Sequence, residues 1–274
     1  MSTVSQLLAA AALRGLDRLD AQLLLLHALG RDVHDRAWLL AHDQDVPAPE
    51  QRARFEADGA RRLAGEPVAY LLGHKEFFGL ALQVDARVLV PRPDTETLVE
   101  WALEHLPGGG SVVDLGTGSG AIALALAHAR PDALVAAVDR STDALAVASA
   151  NAQRLGLRVQ FMQADWLEDV DGPYDLVVSN PPYIADADPH LAALVHEPLS
   201  ALAAGADGLD DLRTIVADAP AHLAPGGWLL LEHGHDQAEA VCALLRARGF
   251  VHVGSRMDLA GIARCSGGQW QITG

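Results

Sequence analysis

Asn180-Pro181-Pro182-Tyr183 is the stretch of this sequence whose residue types most directly imply chemistry. Two consecutive prolines hold the backbone extended and remove the amide donors that would otherwise occupy neighbouring carbonyls. The Asn180 side-chain oxygen and the Pro181 carbonyl are therefore free to accept both hydrogens of one NH2 group. Held that way, the nitrogen lone pair points in a fixed direction, and a poor nucleophile such as an amide comes close to attack geometry. Tyr183 adds a flat wall for a planar group and a ring face that tolerates positive charge. No strong base is needed before transfer, because the proton leaves once the nitrogen is cationic.

A second constellation lies upstream. Asp114-Leu115-Gly116-Thr117-Gly118-Ser119-Gly120 joins an apolar strand to an apolar helix, and Asp139 follows Gly120 by 19 residues at the end of the next strand. Glycines let the chain turn tightly and let a ligand approach its backbone, and a strand-end acid can accept from both hydroxyls of a ribose. The pair points to an adenosyl cofactor. Gly116, Gly118 and Ala121 also satisfy G-x-G-x-x-A, so a nicotinamide-dependent oxidoreductase is the rival reading. The acid at Asp114 and the alternating Gly116, Gly118 and Gly120 resemble instead the first motif of Rossmann-like methyltransferases, which use S-adenosyl-L-methionine. Asp165-Trp166 offers a carboxylate for an exocyclic amine and an indole for the adenine face. His233 and His235 form an H-x-H with no convincing third ligand, so no metal is expected.

These residues need strands to carry them. From Ser111 onward, strands (112–115, 134–139, 159–162, 176–179 and 228–232) alternate with helices (121–129, 142–155, 207–223 and 237–248), a pattern that builds a mostly parallel sheet covered on both faces. Two last strands, Phe250–Arg256 and Gln269–Thr273, lack a helix between them and are expected to pair antiparallel at one edge. Upstream, residues 1–73 read as a small helical domain. Its first helix has Thr3 or a neighbouring serine as cap, the second spans 17–30 with Leu16, Leu19, Leu23, Leu26 and Leu29 inward, the third surrounds Trp38, and the fourth opens at Pro49. Strands at Glu76–Val84 and Arg87–Val90 around an Asp85-Ala86 turn make residues 74–91 a linking hairpin. Asp94 caps a helix over 95–105, and residues 92–274 form the remaining domain.

Composition narrows the partners. Twenty Lys and Arg against 36 Asp and Glu give a net charge of −16. Nucleic-acid binding draws on phosphate neutralisation, so nucleic acid is a disfavoured partner. The arginines at 52, 54, 61 and 62 alternate with acids and read as a solvated helix face. There is no apolar run of membrane-spanning length and no basic leader, and two cysteines are too few for a disulfide framework. A cytoplasmic protein without membrane contact is expected.

The chain resembles the release factor glutamine methyltransferases over nearly its whole length. The resemblance rests on Gly65-Glu66-Pro67-Val68-Ala69-Tyr70-Leu71-Leu72-Gly73, on Pro91-Arg92-Pro93-Asp94-Thr95-Glu96, on the glycine loop, and on Asn180-Pro181-Pro182-Tyr183-Ile184. Glu197–Leu202 and Gly205–Leu209 also look like family segments. It implies an α/β fold, a Rossmann-like class I methyltransferase sheet preceded by the small all-α domain and the linking hairpin. It also implies methyl transfer from S-adenosyl-L-methionine to the glutamine amide of a Gly-Gly-Gln loop in peptide chain release factors, with S-adenosyl-L-homocysteine as product. Carried onto this sequence, Gly116 to Gly120, Asp139, Asp165, Trp166 and Asn180 line the cofactor. Asn180, Pro181, Pro182 and Tyr183 hold the glutamine, and the helical domain docks the release factor to a monomeric enzyme. Asn-Pro-Pro-Tyr alone is shared with DNA adenine methyltransferases, which should carry a basic face. A non-enzymatic cofactor sensor would leave the acceptors at Asn180 without a purpose. Gly267-Gly268-Gln269 repeats the target motif near this chain's own end and reads as a chance tripeptide leading into the last strand.

Overall fold

The computed structural model describes residues 2–271, which divide into two compact units at His74 and Lys75. In the first unit, α1 (Val4–Leu13) starts at Thr3, whose hydroxyl accepts the Gln6 N–H while the Gln6 side chain accepts the Thr3 N–H. This reciprocal pair satisfies two of the amides that a helix start leaves open. Asp17 caps α2 (Arg18–Ala28) through the amides of Leu19 and Asp20, and α3 (Arg36–Ala41), α4 (Pro49–Leu63) and α5 (Val68–Leu72) follow. Val4, Leu7, Leu24, Leu25, Phe55 and Leu71 make the core. Of the residues expected inward, Leu16 and Leu26 are buried, but Leu19 is exposed and Leu23 and Leu29 are half-buried, while Ala21, Leu24, Leu25 and Ala28 are buried in their place. Four consecutive leucines, 23–26, leave the helical phase undetermined, and Ala21 and Ala28 set it. The arginine face of α4 is solvated as expected, with Arg52 near Glu56 and Arg61 paired to Glu66.

The antiparallel pair β1 (His74–Phe77) and β2 (Leu80–Gln83) begins at the boundary and lies, but for His74, in the second unit. The hairpin thus lies inside the segment read as one strand. Its turn is Phe78-Gly79, both left-handed (φ +50° and +76°), the geometry that matches strand twist in a two-residue turn. Glu96 and Glu76 accept the amides of Phe78 and Gly79, which holds an aromatic residue in a conformation its sequence does not advertise. The expected Asp85-Ala86 turn is present, closed by the Val88 N–H on the Asp85 carbonyl at 3.1 Å, and Asp85 also accepts the Arg87 N–H and pairs with its guanidinium, but residues 87–90 form no strand.

After a short 3₁₀ turn at Pro93–Thr95 come α6 (Glu96–His105), β3 (Ser111–Leu115), α7 (Ala121–Ala129), β4 (Leu134–Asp139), α8 (Thr142–Leu155), β5 (Gln160–Gln163) and β6 (Tyr174–Ser179). The chain continues through α9 (Asp210–Asp218), β7 (Leu223–Glu232), α10 (Ala238–Arg248), β8 (Val251–Met257) and β9 (Ala263–Gln269). Helix α9 is shorter than expected because Pro220 cannot continue an α-helix; a 3₁₀ turn at 219–221 leads straight into β7. The sheet order is β5-β4-β3-β6-β7-β9-β8, with the first five strands parallel and the last two antiparallel at the edge. Leucines and alanines of α6 and α7 cover one face, and Leu212, Ile215, Val241 and Leu245 of α9 and α10 cover the other.

The last strand also departs from expectation. It runs Ala263–Gln269 rather than from Gln269 onward, and Ile272 and Thr273 lie outside the described residues. Gly267 and Gly268, which lower strand propensity, sit in its middle because side chains there would collide. A Cβ on Gly267 would lie 2.5 Å from Leu230 and one on Gly268 2.9 Å from Phe250.

Candidate active site

Because β4 and β5 lie on one side of β3 and β6 and β7 on the other, the loops leaving β3 and β6 diverge and open a crevice at their carboxyl ends. An open cleft of about 770 Å³ occupies it. Gly116 and Gly118 from the loop after β3, Asp139 from the end of β4, Asp165 and Trp166 after β5, and Asn180 and Pro182 after β6 all line it.

Each glycine of the loop has its own physical reason. A Cβ on Gly116 would lie 3.1 Å from the Trp166 indole, so the missing side chain lets the ring close onto the loop. Gly118 adopts φ +56° and a Cβ there would meet nothing within 4 Å, which leaves its backbone bare toward the cleft. Gly120 starts α7, where a Cβ would lie 2.9 Å from Leu124. Asp139 ties the loop down: Oδ2 accepts the Gly118 N–H and Oδ1 the Ser141 N–H, both at 2.9 Å. Each oxygen keeps a second lone pair for a ligand.

Thr117, Ser119 and Gly120 do not line the cleft. The Thr117 hydroxyl donates to Asp114 Oδ2 at 2.7 Å, and the Ser119 carbonyl accepts from Asn151, whose side chain also pairs with the Gln83 backbone. These residues shape the loop from behind. Burial pushes the Asp114 carboxyl up to about 7, opposed by the Thr117 hydroxyl and the Ala123 N–H, and its Oδ1 has no hydrogen-bond partner among the described residues.

Trp166 holds a left-handed backbone (φ +53°), uncommon for a bulky residue, and this turns its ring onto Gly116 while Asp211 stands beside the indole. Asp165 is exposed at the rim. A bare glycine backbone, a strand-end carboxylate with spare lone pairs and an indole wall fit an adenosyl group with its ribose.

On the β6 side, the Asn180 side-chain nitrogen donates to Thr95 Oγ1 at 3.2 Å, which fixes the orientation of the amide. No donor among the described residues reaches Asn180 Oδ1 or the Pro181 carbonyl. Pro181 and Pro182 are buried. Tyr183 stands further back than a wall of the cleft would. It is half-buried, its hydroxyl donates to Glu232 Oε1 at 3.4 Å, and its carbonyl accepts from Gln237 at 3.0 Å. Burial and the nearby Glu232 carboxylate raise its hydroxyl well above the usual tyrosine range.

Several residues of this site went unread in the sequence. Residues 87–89, taken for a strand, line the cleft, as do Arg140, Ser141, Pro198 and Ser200. Glu197 explains two of the segments on which the resemblance rests. It is buried, accepts the Val90 N–H at 3.0 Å and pairs with Arg92 at 2.5 Å, so the 197–202 segment is clamped to the Pro91-Arg92-Pro93 stretch. Thr95 and Glu232 are the other omissions. Buried His233 has its two ring nitrogens against the Gly234 carbonyl and the Ser266 hydroxyl, while His235 is exposed.

Both units resemble known proteins. The methyltransferase small domain model matches residues 94–209, and the PrmC N-terminal domain model matches residues 2–73. A methyltransferase from Pyrococcus furiosus has the same fold, with a TM-score of 0.57 at 21% identity over 79% of this chain and all of the other. The release factor glutamine methyltransferase of Bordetella pertussis is 55% identical over 260 residues, 93% of this chain and 95% of the relative. That of Burkholderia pseudomallei is 50% identical over 98% of this chain and 96% of its own length. At such identity across both units, this chain belongs to the release factor glutamine methyltransferase family.

Proposed function

We propose that the cleft holds S-adenosyl-L-methionine on the β3–β4–β5 side and presents to it, from the β6 side, the side-chain amide of the glutamine in a release factor Gly-Gly-Gln loop. The observation that carries this reading is the commitment of the Asn180 nitrogen to Thr95, which leaves Asn180 Oδ1 as an acceptor beside the Pro181 carbonyl. The two oxygens take the two amide hydrogens and direct the lone pair. Pro181 and Pro182 hold the spacing, and Tyr183 supports them through its bond to Glu232. Gly116, Gly118 and Asp139 receive the ribose and the amino-acid portion of the cofactor, Asp165 and Trp166 the adenine, and Thr117, Ser119 and Gly120 keep the loop in shape. When bound, the cofactor supplies an electrophilic methyl group on a sulfonium, so this chain's residues need only orient the nucleophile and exclude water.

Residues 1–73 dock the release factor, residues 74–91 link, and residues 92–274 carry the chemistry. The net charge of −16 supports a protein rather than a nucleic-acid substrate. The enzyme acts as a monomer in the cytoplasm; no helix among the described residues is long and apolar enough to cross a membrane. Asn180→Ala is the test, read by single-turnover methyl transfer to release factor. Loss of one preorganised partner of the reacting group lowers the rate roughly 10²–10³-fold. Near-normal transfer would reduce Asn180 to a turn residue.

A further inference from the structure

Behind Asn180 and Tyr183, at the end of β7, lies a carboxylate that neither motif contains. Glu232 is 1% exposed; its Oε1 takes the Tyr183 hydroxyl, and its Oε2 has no hydrogen-bond partner among the described residues. Thr95, which accepts from Asn180, lies near enough to the same carboxylate to favour its ionised form, although no hydrogen bond of ordinary geometry joins the two among the described residues. A buried oxygen without a donor is destabilising, and its persistence next to the reacting group calls for a reason.

The reason follows from counting protons. A threonine hydroxyl has one hydrogen to give. If Thr95 gives it to a neighbouring carboxylate, its oxygen can only accept from Asn180, and the Asn180 amide must turn its NH2 to Thr95 and its oxygen to the cleft. If the carboxyl is protonated and donates to Thr95, the Thr95 hydrogen is released toward Asn180, which then does better with its oxygen inward and its NH2 in the cleft. Such a group would repel the amide hydrogens of a substrate.

Resting on the glutamine reading above, we propose that Glu232 is a positioning residue for methyl transfer: its ionised carboxylate, acting through Thr95, holds the Asn180 oxygen toward the substrate amide. The charges that face Glu232 set when this holds. Arg264 on β9 favours the ionised form and Asp94 opposes it, with the Tyr183 hydroxyl and the Cys265 thiol the other titratable groups against it. Burial outweighs the rest and pushes the carboxyl up to about 7. Transfer therefore rises as pH rises through that value. Stability runs the other way, because a carboxyl raised in the fold stabilises it at acid pH and loses that contribution as pH rises through about 7. Glu232→Gln should accordingly resist unfolding at least as well as the parent above neutrality while transferring methyl more slowly, a split that a merely structural residue would not give.

The experiment follows the side-chain amide of Asn180 by nitrogen NMR in the full chain, its signal assigned by its loss in Asn180→Asp. The parent signal should move with pH, with its midpoint close to neutrality, and should stay fixed in Glu232→Gln. In parallel, single-turnover transfer to release factor should fall about 10-fold or more in that variant and lose its acid limb, less than direct loss of Asn180 entails. Thr95→Val, which keeps shape without the hydroxyl, should be impaired likewise and Thr95→Ser should recover, so the relay stays testable if Glu232→Gln does not fold. An Asn180 signal indifferent to pH, or one that still titrates in Glu232→Gln, overturns the proposal. A signal that behaves as expected in a chain that methylates no release factor supports the relay and sinks the glutamine reading instead.

Discussion

The helical unit and the strand-end cleft are built on opposite terms. In the helices the devices are ordinary: side-chain caps at the starts of α1, α2 and α3, an apolar core rich in leucine, and acids paired on the surface. Asp58, the buried acid there, has Arg54 at 3.8 Å and Arg61 at 3.5 Å. Behind the cleft lie instead two deeply buried carboxyls, Asp114 and Glu232, each with one oxygen unpartnered among the described residues and each pushed up to about 7. The cleft also keeps Trp166 in a left-handed backbone. Such features lower stability and survive where position matters more. The difference teaches that the helical unit is built on packing alone, with no non-glycine residue at positive φ among its described residues, whereas the second unit accepts such costs at Trp166 in the cleft and also at Phe78, Asp169 and His252.

The largest expected effect breaks the helical side. Leu24 is fully buried in α2, and Leu24→Ala should lower stability by about 2–5 kcal/mol through lost burial and a residual cavity. Cofactor affinity, measured by calorimetry on the folded fraction, should stay unchanged; a parallel loss of affinity would erase the distinction between the regions. On the cleft side, Asp139→Ala should weaken S-adenosyl-L-methionine binding by about 1.5–3 kcal/mol, the scale of hydrogen bonds to a charged group. Part of that comes through the released Gly118 amide, with a small change in melting temperature. Unchanged affinity would remove the ribose from Asp139. The smallest effect sharpens the comparison. Thr3→Ala removes the α1 cap and should cost about 1 kcal/mol in denaturant unfolding with no change in methyl transfer rate.

Much of the cleft was legible because its determinants are local. The glycine loop, the acid ending β4 and Asn180-Pro181-Pro182-Tyr183 are short runs set between periodic apolar segments, and alternation of strand and helix fixed which ends they share. What escaped is non-local or left-handed. Thr95 lies 85 residues before Asn180 in sequence and Tyr183 lies 49 before Glu232, so nothing in either neighbourhood reveals the contact. The Phe78-Gly79 turn carries no signature because an aromatic at positive φ advertises none, whereas the Asp85-Ala86 turn does form but joins no second strand. Gly267 and Gly268 looked unlike a strand for the reason that they fit one: only bare backbone passes Leu230 and Phe250.

The central claim is that the amide held at Asn180 belongs to a glutamine of a release factor. Its most direct test gives the chain methyl-labelled S-adenosyl-L-methionine with three acceptors: intact release factor, the same factor with the Gly-Gly-Gln glutamine changed to alanine, and adenine-containing DNA. Label should appear on the intact factor alone, and mass analysis should place one methyl on that glutamine side chain. Label on the alanine variant or on DNA, with the intact factor unmodified at its glutamine, would contradict the account.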